Sequence, residues 1–310
     1  MRKTAVWIII AVVLLICGAV IFVVAGSMVG WDLRMLGTGK YETNTYDIAE
    51  KFENITIDAD ISDVRFVPTQ DGSCRVVCYE EERARHTVAV EDGILSITGT
   101  DERSVHGVIG HIGINFSSPK ITVYLPQTEY AVLHIEESTG DVEIRNDFTF
   151  RDVDIMCSTG DIRVEHISAD SLMLSVSTGH VSVQNVICAG DVTVTVSTGR
   201  TELAGIACES LTSDGDTGDI TLKNVIAAGM FSIERSTGDV KFDACDAAEI
   251  FVETDTGDVT GTLLTDKVFI ADTDTGHVDV PKTIVGGRCE VTTDTGDIEL
   301  DIFDVKSDIT

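Results

Sequence analysis

A Thr-Gly pair returns nine times between residues 139 and 296, and its spacing leaves little choice of fold. The glycines are Gly140, Gly160, Gly179, Gly199, Gly218, Gly238, Gly257, Gly276 and Gly296, so successive gaps are always 19 or 20 residues. An array of that period is a stack of small structural units in which each unit packs on its neighbours. On both sides of the pair the apolar residues alternate. Leu172, Leu174 and Val176 precede Gly179, while Val181 and Val183 follow it; Val192, Val194 and Val196 repeat the pattern before Gly199. A period of two means strands whose alternate side chains face one core. A third apolar slot falls seven residues after the glycine, at Ile167, Val186, Ile206, Val225 and Leu264. Each unit is therefore expected to be one coil of an all-β, parallel β-solenoid. Coils stacked about 4.8 Å apart give a rod of roughly 40 Å for nine of them.

The Thr-Gly corner is read as structural. Glycine reaches a positive φ without a Cβ clash, and stacked threonines can bond along the rod while their methyls pack. Carboxylates follow the glycine at Asp141, Asp161, Asp219, Asp239, Asp258 and Asp297, and in later coils Asp216, Asp255, Asp274 and Asp294 stand two residues before it. Like charges stacked so closely repel. Calcium, a hard cation taking oxygen ligands, is thus a candidate occupant at Asp216, Asp219, Asp255, Asp258, Asp294 and Asp297, with full solvation as the competing account. No other cofactor is expected.

Residues 131–310 read as the regular array and 46–130 as its irregular first coils or cap. In Phe52–Val67 the strands alternate, and Ile61-Ser62-Asp63-Val64 looks like a corner that has lost its glycine. Residues 31–45 lack apolar periodicity and read as a stalk. Before them, Ala5–Ala25 carries no charge over 21 residues, close to the ~20 a helix needs to cross a bilayer. Residues 1–30 are accordingly expected to hold a transmembrane helix. With Arg2 and Lys3 preceding it, the N-terminus belongs in the cytoplasm and the bulk outside. The tail Asp301–Thr310 is a candidate cap for the far end.

Charge and side-chain chemistry exclude several functions. A net charge of -30 repels nucleic acid. Both tryptophans, Trp7 and Trp31, lie at the N-terminus, so the body offers no indole platform for sugars. The histidines, His86, His106, His111, His134, His166, His180 and His277, form no H-E-x-x-H or similar ligand spacing. Cys188 and Cys208, each nine residues past a repeat glycine, should stack on neighbouring coils as small buried residues. The carboxylates recur along the rod without a patch set apart, and no G-x-S-x-G occurs, so an enzyme is not expected.

The repeated STGDV corners, with the preceding DGILSI and ITVYLP segments, resemble the bacterial "putative adhesin" family of β-strand repeat proteins, a domain of unknown function. The likeness runs from about residue 46 to the end. It implies a surface or membrane-associated β-solenoid that carries no catalytic residues and meets an envelope protein or polymer. Partner-dependent regulation of the envelope stress response is the alternative that the resemblance offers. Cleavage of acidic polysaccharide by a β-helix is a third, more distant one.

Overall fold

The computed structural model describes residues 40–101, 118–280, 288–300 and 308–309. The expected membrane span and the first part of the stalk lie outside these residues, as does most of the C-terminal tail. Among the described residues no helix is long and apolar enough to cross a membrane. They form an all-β, parallel β-solenoid, as the repeat requires.

Each coil runs up one sheet, turns at the Thr-Gly corner and returns along a second. Ser171–Thr178, Val192–Thr198, Leu211–Thr217 and Met230–Thr237 are successive parallel strands of the first sheet. Val181–Cys188, Thr201–Cys208 and Ile220–Ala227 are their counterparts in the second. The core is seven inward columns, three from the first sheet and four from the second. One column reads Leu172, Val192, Leu211, Phe231, Ile250 and Phe269, all buried. Alternation was the whole signal for this, because only one register puts every apolar side chain inside.

The one-residue jitter has a single location. From the first buried residue of a coil to its corner glycine the count never changes, as in Leu172 to Gly179 and Val192 to Gly199. The difference falls in the turn that leaves the second sheet. Asp170-Ser171 and Glu209-Ser210 make that turn with two residues, whereas Ala189-Gly190-Asp191 and Ala228-Gly229-Met230 use three. The ladder survives the insertion, since Gly190 N–H still reaches Asp170 O at 2.8 Å and Glu209 N–H reaches Gly190 O at 2.8 Å.

A second corner was not foreseen. Six residues after the corner glycine, Asn146, His166, Asn185, Gly205, Asn224 and Ala244 all have φ between 50° and 77°. Asparagine tolerates this left-handed region better than most residues. The bend turns the next slot inward, burying Ile167, Val186, Ile206 and Val225 as expected. Leu264 does not follow them. It is exposed, and Leu263 is buried instead, because the ladder shifts register between Phe242↔Gly261 and Cys245↔Leu263. That coil has one residue fewer at the second corner and bends at Gly261, whose φ is 122°.

The N-terminal end departs from the simple coil. Strand β1 (Tyr41–Ile48) starts inside the segment read as stalk, held by eight antiparallel pairs to a later strand, Cys74–Glu81. Between them β2 (Asn54–Ile61) and β3 (Asp63–Thr69) form a first coil around Ser62. Strand β4 (Cys74–Glu81) turns into β5 (Ala84–Glu91), which forms a hairpin with β6 (Ile94–Asp101). Strand β6 lies parallel to β2 and completes the first sheet, while β7 (Lys120–Pro126) joins β3 to β4. At the other end Asp308–Ile309 adds a short parallel strand to Arg288–Thr295.

Candidate functional site

The nine corner glycines stack in one column, and close approach explains them better than φ alone. A Cβ on Gly199 would lie 1.7 Å from the carbonyl oxygen of Gly179, and one on Gly160 would lie 2.0 Å from that of Gly140. The column begins on Ser62, since a Cβ on Gly140 would lie 2.3 Å from Ser62 O. The Ile-Ser-Asp corner is therefore the first of the series.

The acidic column has a backbone function. Asp141 Oδ1 accepts the Asp161 N–H at 2.9 Å, Asp161 Oδ1 accepts that of His180 at 2.9 Å, and Asp239 and Asp258 do the same for the following coils. His180 and His277 fit the slot because Nδ1 is an acceptor at similar reach, taking the N–H of Arg200 at 3.0 Å and of Asp297 at 3.1 Å. Of the calcium candidates, Asp219 uses an oxygen in this way at 3.1 Å and Asp258 does so at 2.8 Å. Asp216, Asp255, Asp294 and Asp297 stand exposed beside the corner. Where the column is interrupted by His180 and Arg200, a shallow depression of about 190 Å³ forms, also lined by Asp161, Arg163, Ser182 and Glu202.

Polar groups also lie inside, where the sequence reading expected none. Arg235 occupies an inward slot and is 2% exposed. Its guanidinium donates to Ser213 Oγ at 2.8 Å and to the Glu234 carbonyl at 2.8 Å. Burial pulls its pKa down to about 10. Room is made by Gly215, in register one coil below, where a Cβ would lie 2.7 Å from Nη1.

The densest cluster is at the N-terminal end, beneath the first corner. Along β4 the inward residues are Val76, Cys78 and then Glu80, which is fully buried. The β4–β5 turn brings His86 back over it. Glu80 Oε2 lies 2.6 Å from His86 Nδ1 and accepts the His86 N–H at 2.7 Å, while Oε1 accepts from Asn44 Nδ2 at 2.7 Å. His86 Nε2 lies 3.3 Å from Ser62 Oγ, and Tyr46 donates to the His86 carbonyl at 3.1 Å. Burial, with Glu80 beside it, pushes the Cys78 thiol up to about 12. Above Ser62, Glu137 Oε1 accepts N–H groups from Ser62 and Thr139, both at 3.2 Å, and Oε2 is buried without a hydrogen-bond partner. Burial outweighs those bonds and raises the Glu137 carboxyl to about 8. Cys78, Glu80 and His86 present sulfur, oxygen and nitrogen within 4.8 Å of one another, the one such trio among the described residues.

The corner repeat runs from residue 139 to 296, and the Toastrack DUF4097 family model matches residues 52–205 and 188–309. The chain belongs to the Toastrack DUF4097 family. Among solved structures, this Toastrack chain is similar to a "putative adhesin" of Bacteroides fragilis, with 18% identity and a TM-score of 0.43, covering 84% of this chain and 96% of that one. A "putative lipid binding protein" of Parabacteroides distasonis shares 15% identity at a TM-score of 0.38, over 88% and 97% of the two chains. No curated protein matches the sequence.

The hydroxyl, imidazole and carboxylate of Ser62, His86 and Glu80 stand in the order that activates serine nucleophiles. In this Toastrack coil, however, Ser62 is 2% exposed and sits under the glycine column. Sequence reading passed over the cluster because its members come from β4, β5 and the first corner. The available signal was Glu80 in the inward register of an otherwise apolar strand.

Proposed function

We propose that the chain is a non-catalytic binding or scaffolding rod of the bacterial cell envelope, anchored by residues 1–30 with its solenoid outside the cytoplasm. It meets an envelope protein or polymer through its outer surface. The observation that carries this reading is an apolar ladder on the short side of the coil after the second corner. Ile187, Ala207 and Ile226 stand in register on three successive coils, and the two isoleucines are 64% and 48% exposed. In a chain of net charge -30, a side that could carry carboxylates carries aliphatic groups instead. Contiguous exposed apolar surface of this kind marks contact sites. The burial of Ser62 supports the absence of catalysis.

The test is site-specific photo-crosslinking in intact cells of the native host, with the reactive group at position 187, 226 or, as an exposed control that lies before the second corner, 241. Adducts confined to 187 and 226, and lost when the other isoleucine is changed to lysine, are the expected result. Adducts equally abundant at 241, or none at any position, would overturn the reading.

A further inference from the structure

We propose that Cys78, Glu80 and His86 form a structural zinc site that locks the N-terminal end of the solenoid. Thiolate, imidazole and carboxylate are donors zinc takes, and all three residues are buried. Charge favours the ion. One Zn²⁺ with the Cys78 thiolate and the Glu80 carboxylate sums to zero, which suits a site where both side chains have no exposed surface.

The rearrangement needed is on the order of 1 Å: Cys78 Sγ, within 4.8 Å of the other two donors, closes to about 3.5 Å from them. At bond lengths of about 2.0 Å, tetrahedral ligands stand about 3.3 Å apart, so Glu80 Oε2 and His86 Nδ1, now 2.6 Å apart, need to part by only about 0.7 Å. Zinc takes the place of the thiol proton on Cys78, which leaves to solvent, and of the proton between Glu80 and His86, which moves to the other imidazole nitrogen. The imidazole proton is then on Nε2, where Ser62 Oγ can accept it. Asn44 Nδ2 holds the other Glu80 oxygen. These are the outer partners that metal-bound histidine and carboxylate need for fixed orientation. They come from β1 and the first corner, while the ligands come from β4 and β5. The ion would thus tie β1 and the first corner to the β4–β5 turn, at the N-terminal end of the described coils.

The experiment uses the full chain in detergent, stripped with a chelator and titrated with Co²⁺ and then Zn²⁺. Expected are one Co²⁺ per chain with a thiolate-to-cobalt charge-transfer band, its displacement by Zn²⁺, and loss of the band in Cys78→Ser but not Cys74→Ser. A band that survives Cys78→Ser, or no saturable band, would overturn the proposal. Because a core variant can misfold, zinc-edge X-ray absorption on the unmodified chain gives a second readout. One sulfur at about 2.3 Å with nitrogen and oxygen at about 2.0 Å is expected, and a shell without sulfur would refute the site.

Discussion

Glu137 should make the solenoid lose stability as pH rises through neutrality, and replacing it with glutamine should abolish that loss. Its carboxyl titrates near 8 in the folded chain against an ordinary 4.5, because burial outweighs its bonds to Ser62 and Thr139 and because Asp60 and Asp63 add negative potential. The folded state therefore keeps the proton longer than the unfolded state. The stabilising contribution is complete below about pH 4.5, declines as pH rises, and is gone above about 8. Between pH 4.5 and 7 the separation is 2.5 pH units, which at ~1.4 kcal/mol per unit gives at most about 3.5 kcal/mol. In Glu137→Gln the amide carbonyl can still accept both N–H groups, and the amide NH₂ stands where the protonated carboxyl carries its hydrogen. Urea unfolding of the full chain in detergent, followed by far-ultraviolet circular dichroism at pH 5 and pH 8, measures the difference between wild type and variant. The general titration of the other carboxylates cancels in that difference. The variant should gain on wild type by a few kcal/mol at pH 8 relative to pH 5. Parallel pH dependences, or a variant that loses ground at pH 8, would refute the reasoning.

Gly199→Ala should cost more than about 4 kcal/mol, because its Cβ would sit 1.7 Å from a backbone oxygen at a φ of +147°. Gly93→Ala, at φ +79° with open space around the new Cβ, should cost only about 1 kcal/mol; equal losses in thermal unfolding would show that close stacking is not what selects glycine at the corner. Calcium should raise the unfolding temperature no more than magnesium does, since Asp219 and Asp258 already hold backbone N–H groups. Saturable, calcium-selective stabilisation in a calorimetric titration would instead make the exposed corner aspartates metal ligands.

The fold was legible because its strongest determinant, inward alternation, is periodic in residue type. Every coil repeats it, so even a weak preference at each position adds up over the array. The second corner was harder to see because its requirement is conformational. Asn146, Asn185 and Asn224 suit a positive φ, but His166, Gly205 and Ala244 interrupt them, so the slot does not repeat as plainly as the Thr-Gly pair. The acidic column hid its backbone role for a related reason. Read as charge, it admits either a cation or full solvation; as a set of acceptors for the next coil's N–H it also accommodates histidine at 180 and 277. Leu264 went astray because one coil drops a residue at a bend that the corner spacing cannot detect.

The interior polar groups show what such a sequence still contains. In a solenoid the residue 19 or 20 positions away is the neighbour one coil up or down, so the chain carries part of its own contact map. Along the column of Val176, Val196, Gly215, Arg235 and Thr254, arginine appears directly after glycine, and the next inward column has Ser213 where its neighbours are Val194 and Ile233. A small residue, a hydroxyl and a guanidinium on two adjacent coils describe a buried cation with its space and one of its acceptors supplied, and the structure places them 2.8 Å apart. Cys78, Glu80 and His86 lie before the regular array, where no copy exists for comparison. Departures from the repeat can be read from the sequence only where the repeat itself is present on both sides, which is why Arg235 was within reach and the cluster at the first corner required coordinates.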